Sequence, residues 1–296
     1  MSQIGLVTAT HGRHAVVESP DSQRRLCHFR GKKNEVVVGD FVNWSNTEDA
    51  GIIESVELRR NLFYRSDEMR TKSFAANIDQ IIVLVAADPD FSEAQIARAL
   101  ISANSQKIPA FIVLNKSDLR TAFDKAFDKL KHYPPMGYDV IPLSLKSNSP
   151  LDPSFTKLLQ GKTSFIMGPS GVGKSTLINR LVPSADVLTS EISKALQSGK
   201  HTTTATTLYW ITDERKSALI DSPGFQEFGL NHIKPNDLCS LMPDLKAHST
   251  GCKFYNCTHL HEPGCVVRAH VESGGISAAR YKIYGVLFEE LSRTHY

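Results

Sequence analysis

Residues 164–181 read SFIMGPSGVGKSTLINRL, and this stretch decides the fold of the chain. A short apolar run leads into a glycine-rich turn at 168–175, and a segment with helical spacing follows. The turn fits the pattern GxxxxGK[ST], which forms a phosphate-binding loop when it lies between a strand and a helix. The stretch therefore predicts a nucleotide-binding domain of the α/β class.

The loop and the first helical residue form the expected phosphate cradle. Its glycines let backbone N–H groups turn inward around phosphate oxygens, and the helix N-terminus adds a favourable dipole. We expect Lys174 to reach the β- and γ-phosphates and the Ser175 hydroxyl to bind Mg²⁺. The residues assigned to this cradle are Gly168, Pro169, Ser170, Gly171, Val172, Gly173, Lys174, Ser175 and Thr176.

A second motif, Asp221-Ser-Pro-Gly224, follows the apolar run 218–220 and matches the DxxG element of GTPases. We expect Asp221 to hold the magnesium through water and the Gly224 N–H to sense the γ-phosphate. An aspartate before a Pro-Gly pair is also ordinary turn chemistry, so this motif depends on its neighbours for its meaning.

The third motif, Asn115-Lys-Ser-Asp118, follows the apolar run 110–114 and fits the guanine-reading pattern NKxD. A carboxylate at Asp118 accepts hydrogen bonds from guanine N1–H and the 2-amino group, whereas adenine offers an acceptor at N1. We expect Asn115 to tie the base loop to the phosphate loop and the Lys116 stem to cover the base. The alternative is a helix N-cap at Asp118 or Ser117.

A short loop at Ser144, Leu145 and Lys146 looks like the segment whose backbone N–H supports guanine O6. The order of these motifs is unusual, because the base-reading elements precede the phosphate loop instead of following it. Joining the original termini and cutting the chain elsewhere gives the same sheet, and such permutation is tolerated when termini lie close together. The loop after Gly224 then leads directly into the C-terminal segment, which predicts that nucleotide state moves that segment.

Residues 199–204 read GKHTTT and lie between the phosphate loop and Asp221. A threonine in this position is expected to bind Mg²⁺ when GTP is present, and we assign Thr203, with Thr202 and Thr204 as neighbours. Phe225 stands where many GTPases have a glutamine that orients water. Phenylalanine cannot do so, and we therefore assign His201 to that role; the alternative is a solvated histidine. The expected catalytic set is His201, Lys174 and Thr203.

The C-terminal segment contains a clustered metal-ligand pattern. Three thiolates and one imidazole at the spacing CxxxxCxHxxxxxC have the composition of a closed structural zinc site. His261 and His248 are rival ligands, Cys239 is a weaker one, and free thiols in a small core are the alternative to a metal. The residues assigned as zinc ligands are Cys252, Cys257, His259 and Cys265.

Short alternating runs at the N-terminus predict an all-β region. Five strands in this length favour an OB-fold, with an SH3-like barrel or an open meander as alternatives. Two basic runs, with Arg24, Arg25, Arg30, Lys32 and Lys33, are candidates for contacts with RNA phosphates or are ordinary solvated loops. The strands are expected at 4–8, 15–18, 26–29, 35–44 and 51–56.

Composition sets the broad class. Of the 296 residues, 41% are hydrophobic and 22% charged, and the net charge is +3, which is typical of a globular protein and permits but does not require a nucleic-acid partner. The N-terminus lacks the apolar core of a signal peptide, and no apolar run approaches the ~20 residues of a membrane span. We expect a cytoplasmic protein without membrane association.

The combination of NKSD, GPSGVGKS, GKHTTT, DSPGF, the cysteine–histidine pattern and residues 275–284 (GISAARYKIY) resembles the RsgA family, also called YjeQ or EngC, of circularly permuted GTPases. The resemblance covers nearly the whole chain. It implies a multi-domain α/β protein with an OB-type β-barrel at 1–65, a circularly permuted P-loop GTPase domain at 66–232 and a C-terminal zinc-binding domain with helices at 233–296.

The resemblance also implies an activity and partners. Members act late in maturation of the small ribosomal subunit, bind its rRNA, and have a weak GTPase that the subunit stimulates. The expected cofactors are GTP or GDP, Mg²⁺ and one structural Zn²⁺, and the chain is expected to be a monomer. His201 is the position that corresponds to the family's catalytic histidine. Two competing functions are an RNA-binding module with a relic nucleotide site and an ATPase, against which the intact Lys174 and the NKSD motif speak.

Overall fold

The computed structural model describes residues 2–12, 14–29, 36–47, 50–67, 71–146, 150–185, 206–221 and 228–294. Its N-terminal strands pair in the closed order β1-β2-β3-β5-β4-β1, with β3 parallel to β5 and the other neighbours antiparallel. This is the Greek-key order of an OB barrel, so the OB prediction is confirmed. The strands are β1 (Ser2–His11), β2 (His14–Glu18), β3 (Arg24–Phe29), β4 (Phe41–Asn46) and β5 (Gly51–Val56).

The barrel encloses an apolar cluster of its own, which includes Val7, Val17 and Trp44. These side chains come from alternate positions of their strands, as expected where one face is buried. The prediction of one strand at 35–44 is wrong, because β4 begins at Phe41. Before it the chain turns at Gly39 and Asp40, and Val38 pairs with Ala75 in an isolated bridge.

A hairpin that the sequence patterns do not predict follows the barrel. It consists of β6 (Leu62–Ser66) and β7 (Thr71–Ala76), and its polar, charged outer positions hide the alternation that marks a strand. Phe63 and Phe74 pack against Phe165 of the phosphate-loop strand. The hairpin therefore joins the nucleotide-binding half of the chain, while the domain boundaries at 65/66 and 232/233 stay predictions.

The central sheet domain carries all three nucleotide motifs. Its parallel strands lie in the order β10-β9-β8-β11-β13, and β12 adds antiparallel to β13. Buried parallel strands read as continuous apolar runs, which explains why these were predicted well. The elements are β8 (Gln80–Ala86), α1 (Glu93–Ser105), β9 (Ala110–Asn115), α2 (Arg120–Leu130), β10 (Val140–Pro142), α3 (Pro153–Leu159), β11 (Thr163–Met167), α4 (Lys174–Leu181), β12 (Thr206–Trp210) and β13 (Ala218–Asp221).

The barrel and the central sheet form one hydrogen-bonded sheet within the described ranges. Strand β12 pairs antiparallel with β1, with Ala9 opposite Thr207 and Thr10 opposite Thr206. The buried Glu18 carboxylate reinforces this junction, because it accepts hydrogen bonds from Arg24 Nε at 2.8 Å, Trp210 Nε1 at 2.9 Å and Arg215 Nη1 at 2.7 Å.

The C-terminal module comprises residues 228–294 and packs against the central sheet domain. Its helices are α5 (Pro243–Lys246), α6 (Val266–Glu272) and α7 (Ala278–Thr294). Leu245, Tyr284 and Leu287 belong to the same apolar cluster as the central strands. No described helix combines the length and the apolar character that crossing a membrane requires.

Candidate functional site

The phosphate loop runs from the end of β11 to the start of α4, as its sequence predicts. Two of its glycines are required by close approach of other groups. A β-carbon at Gly168 would lie 2.1 Å from the Leu84 carbonyl oxygen, and Gly173 has φ +104° with its β-carbon position 2.5 Å from Asn115 Nδ2. The loop is therefore built against β8 and β9, at the carboxyl ends of parallel strands where α/β sheets bind ligands.

Lys174 lies at the N-terminus of α4 with its ammonium group folded over the loop. Nζ donates to the carbonyl oxygens of Gly168 at 2.7 Å and Pro169 at 2.8 Å. Burial lowers the pKa of Lys174, and the negative charge of Asp221 opposes that shift. The buried Asp221 ends β13, so the DxxG carboxylate and the loop lysine act on each other electrostatically. Ser175 and Thr176 are exposed in the first turn of α4.

Asn115 joins the base-reading motif to the phosphate loop. Its side chain is 3% exposed; Nδ2 donates to the Val172 carbonyl at 2.8 Å, and Oδ1 accepts from the Leu145 N–H at 3.1 Å. One amide thus fixes three segments that lie far apart in sequence, which agrees with the tie expected of Asn115. The Leu145 N–H is used in this contact, and the N–H of the 144–146 loop that meets guanine O6 stays a prediction.

Asp118 is exposed at the end of the motif and carries an ionised carboxylate. The Ser144 hydroxyl donates to Asp118 Oδ1 at 2.7 Å and is the main reason that the pKa of Asp118 lies below its usual range. Lys116 has φ +65°, and its Nζ lies 3.9 Å from Asp88 Oδ2. This brings Asp118, Ser144 and Lys116 together, as the motif predicts.

A cavity of about 600 Å³ opens beside Asp118 at the ends of β8 and β9. The sequence interpretation missed its other lining residues, although an aspartate directly after a buried strand, as at Asp88, is a usable signal for a site at that edge. The cavity is lined by Ala87, Asp88, Asp90, Asp118, Leu119, Arg120, Thr121 and Ala122.

The remaining nucleotide residues lie outside the described ranges. They are His201, Thr203 with its neighbours Thr202 and Thr204, and Gly224. Their roles stay predictions. The described ranges resume at Thr206, which lies at the junction with the barrel, and at Phe228, which begins the C-terminal module.

The four predicted metal ligands converge. One ligand atom from each of Cys252, Cys257, His259 and Cys265 lies within 4.8 Å of the others, and His259 Nδ1 is 3.6 Å from Cys252 Sγ and 3.5 Å from Cys265 Sγ. Three sulfurs and one imidazole nitrogen fit Zn²⁺. The cluster found among the described residues does not include the rivals His261, His248 or Cys239.

The backbone around the metal ligands is fastened by other side chains. The Glu262 carboxylate accepts from the Thr258 N–H at 2.7 Å and the Thr258 hydroxyl at 2.6 Å. The hydroxyls of Tyr281 and Tyr284 on α7 donate to the carbonyls of His259 and Thr258, each at 2.7 Å. The cluster is therefore held against the C-terminal helix.

The fold and the site define a P-loop GTPase whose base-reading strand β9 precedes its phosphate-loop strand β11 in the chain, which is a circular permutation. A family model described as RsgA GTPase matches residues 56–231. The chain belongs to this family and is a GTP-hydrolysing enzyme.

Known relatives cover the whole chain. The small ribosomal subunit biogenesis GTPase RsgA of Variovorax paradoxus is 60% identical over 99% of this chain and 93% of its own length. Its counterpart in Burkholderia pseudomallei is 46% identical over 98% of this chain and 92% of its own length.

Solved structures agree with this assignment. YjeQ from Thermotoga maritima superposes with a TM-score of 0.73 at 29% identity, covering 98% of this chain and 99% of that one. YloQ, described as a circularly permuted GTPase, gives a TM-score of 0.69 at 26% identity, covering 99% and 96%.

Proposed function

We propose that this GTPase acts in late maturation of the small ribosomal subunit, that the subunit stimulates its GTP hydrolysis, and that the barrel and the C-terminal module bind rRNA. The observation that carries the nucleotide half of the proposal is the Asn115 side chain, which connects the guanine-reading motif to the phosphate loop. The ribosomal half is supported by the description of the relatives with which the chain aligns over nearly its full length.

Guanine is recognised by Asp118, whose depressed pKa keeps the carboxylate ionised and ready to accept from N1–H and the 2-amino group. Lys116 covers the base. The phosphates lie over residues 168–176, where Lys174 exchanges its loop carbonyls for phosphate oxygens. This exchange is favourable because an ammonium group bonds more strongly to an anionic phosphate than to a neutral carbonyl, and the same positive charge stabilises the negative charge of phosphoryl transfer.

Mg²⁺ would be held by the hydroxyls of Ser175 and Thr203 and, through water, by Asp221, and these oxygen donors are the type that the ion prefers. The bound ion neutralises charge on the phosphates. His201 orients the attacking water, since Phe225 has no group for that task. Zn²⁺ would be held by Cys252, Cys257, His259 and Cys265 and would stabilise the C-terminal module without a catalytic role.

We also propose an oligomeric state, a location and a contact with rRNA. The protein works as a monomer in the cytoplasm, where assembling ribosomal subunits are found. Basic side chains of the barrel, among them the half-buried Arg25, meet rRNA phosphates.

The first experiment measures GTP hydrolysis by the purified protein with and without small ribosomal subunits, for the native chain, His201→Ala and Lys174→Ala. We expect strong stimulation by subunits that is lost in His201→Ala, while Lys174→Ala lacks hydrolysis under both conditions. Excess unlabelled GTP or GDP should compete for the site and ATP should not.

The outcomes separate the parts of the proposal. Stimulation that survives in His201→Ala removes this histidine from catalysis and leaves the partner in place. Absence of stimulation in the native protein contradicts the small subunit as the partner. Full cellular activity of Lys174→Ala would favour a binding module instead of an enzyme.

A further inference from the structure

The loop between Cys252 and Cys257 exposes two consecutive aromatic side chains. The Phe254 side chain is 40% exposed and that of Tyr255 is fully exposed, whereas the other tyrosines of the described chain are buried or half-buried. Exposed aromatic pairs are uncommon on protein surfaces without a partner and are typical of binding sites. This pair lies outside the nucleotide motifs in sequence.

The backbone of the loop that carries these rings is fastened at both ends. Its two ends are members of the Cys₃His cluster, and the Cys257 N–H donates to the Phe254 carbonyl at 3.2 Å, which closes a turn. The residue after the loop, Thr258, is fastened to Glu262. A preorganised loop loses little conformational entropy when it binds, so its aromatic faces are available at low cost.

The chemistry around the rings identifies the kind of ligand. Lys253 Nζ lies 5.7 Å from the centroid of the Phe254 ring, and the polar Asn256 follows Tyr255. A cation beside one aromatic ring, with a second exposed ring next in the chain, suits a flat π-system joined to an anion, which describes a nucleobase and its phosphate. An apolar protein segment would require a broader apolar patch than two rings flanked by an ammonium group and an amide.

We propose that Lys253, Phe254 and Tyr255 form a stacking platform for unpaired nucleobases of single-stranded RNA. The proposal rests on the proposed function for the source of that RNA, and it adds the mode of recognition: base stacking on Tyr255 and Phe254, with Lys253 at the phosphate. Every base has a π-face, so the platform is tolerant of sequence and selective for unpaired strands.

The test uses the full-length, zinc-loaded protein and a fluorescein-labelled uridine octamer, which has little structure of its own, with an RNA duplex as the comparison ligand. Fluorescence anisotropy gives the affinity of the native chain, Tyr255→Ala and Tyr255→Phe. A matched control is Phe127→Ala on α2, where the phenylalanine is 42% exposed and stacks only on Phe123 among the aromatic contacts described. Zinc content is measured for every variant to verify that the loop is intact.

We expect Tyr255→Ala to weaken octamer binding about tenfold, because loss of one base–aromatic stack lies in that range. Tyr255→Phe should stay within about twofold of the native affinity, since it keeps the ring. Phe127→Ala should bind normally, and duplex affinity should not change in any variant. Equal octamer affinity of the native chain and Tyr255→Ala would overturn the proposal, as would an equal loss for octamer and duplex or no octamer binding at all.

The result is distinguishable from failure of the proposed function. Octamer binding that depends on Tyr255, in a protein whose GTPase small subunits do not stimulate, would support the platform and contradict the ribosomal partner. Subunit stimulation together with octamer binding that ignores Tyr255 would keep the partner and reject the platform.

Discussion

The barrel and the C-terminal module are attached to the central sheet domain in different ways. The barrel has a separate apolar core and reaches the central domain through two residue pairs of β1 and β12, through the hydrogen bonds of Glu18, and through the bridge of Val38 to Ala75. The module shares one apolar cluster with the sheet, which includes Phe165 and Tyr284. Of the described barrel residues, the buried Val38 belongs to the central apolar cluster and the partly buried Leu6 packs against it, whereas many residues of the module belong to that cluster, so separating the module exposes far more apolar surface. We therefore expect the barrel to detach from the central domain at lower denaturant than the module.

The two tryptophans make this comparison measurable. Trp44 lies in the barrel core and Trp210 donates to Glu18 at the junction, so tryptophan fluorescence reports on the barrel side. Most helical residues lie in the central domain and the module, and circular dichroism at 222 nm therefore reports on those.

Arg280→Ala should have the largest effect on stability. The buried Arg280 donates to Asp244 at 2.9 Å and 3.1 Å and lies over the Tyr133 ring. Its loss leaves a buried carboxylate without its partner and is expected to lower the free energy of unfolding by about 3–5 kcal/mol. Because the core is shared, the module and the central sheet should unfold together in one dichroism transition at lower denaturant.

The control for that change is Arg293→Ala, which removes an exposed pair with Glu289 and should shift the transition by less than about 0.5 kcal/mol. A dichroism transition that splits in two after Arg280→Ala would show that the module is a separate unit and would break the comparison.

Glu18→Ala should loosen the barrel junction. It removes the acceptor of Arg24, Trp210 and Arg215, and the expected loss is about 1–3 kcal/mol. The fluorescence transition should move to lower denaturant while the dichroism transition stays in place, with a red shift of Trp210 emission in the native state. Glu54→Ala, at an exposed position of β5, is the control and should change neither signal. Coincident shifts of both transitions would contradict the independence of the barrel.

Arg98→Ala should have a smaller effect, at the contact between α1 and α7. Arg98 Nη1 donates to Glu290 at 2.9 Å and to the Phe228 carbonyl at 3.3 Å, and both charged side chains are partly exposed. We expect a loss of about 1 kcal/mol in the dichroism transition, and Arg98→Lys should recover part of it. A larger loss than that of Arg280→Ala would mean that the ion pair, and not the shared core, holds the module.

The smallest effect is expected at Asp118, away from both attachments. Its pKa is lowered in the folded protein, so the ionised form is fully present above the ordinary value of 3.8 and is lost as pH falls through the lower folded pKa. Ser144→Ala removes the main cause and should move the pKa of Asp118 up towards 3.8. A carbon NMR titration of the Asp118 carboxyl group measures this shift, while both unfolding transitions should stay unchanged at pH 7. An unchanged pKa would show that another group sets it.

The sequence predicts the parts of the fold that depend on local rules. Buried parallel strands are continuous apolar runs, and the loop at Gly168 and the tie at Asn115 follow from motifs whose backbone demands are strict. The spacing predicts the four residues that cluster as a candidate metal site, although it leaves His261 and His248 as rivals. These predictions required no knowledge of which strands become neighbours.

The features that the sequence does not predict depend on long-range partners. The hairpin β6–β7 carries mixed polar residues and is stabilised by Phe165 and Phe228, which lie 90 residues or more further along the chain. Glu18 reads as an ordinary surface acid, and only the pairing of β1 with β12 places Trp210 and Arg215 around it. In such cases the sequence shows the type of the side chain, but it does not show which distant residue that side chain contacts.

The pairing of β1 with β12 also sets an order of events during synthesis. The last barrel strand, β5, ends at Val56 and β12 begins at Thr206, so at about 5–20 residues per second the barrel waits roughly 8–30 s for the strand that covers its edge. An uncovered strand edge is a template for pairing with other chains. Within the described ranges Ala9 and Thr10 are the residues of β1 that pair with β12, which limits that exposed edge to a length too short to recruit a stable foreign strand while the polypeptide is still emerging.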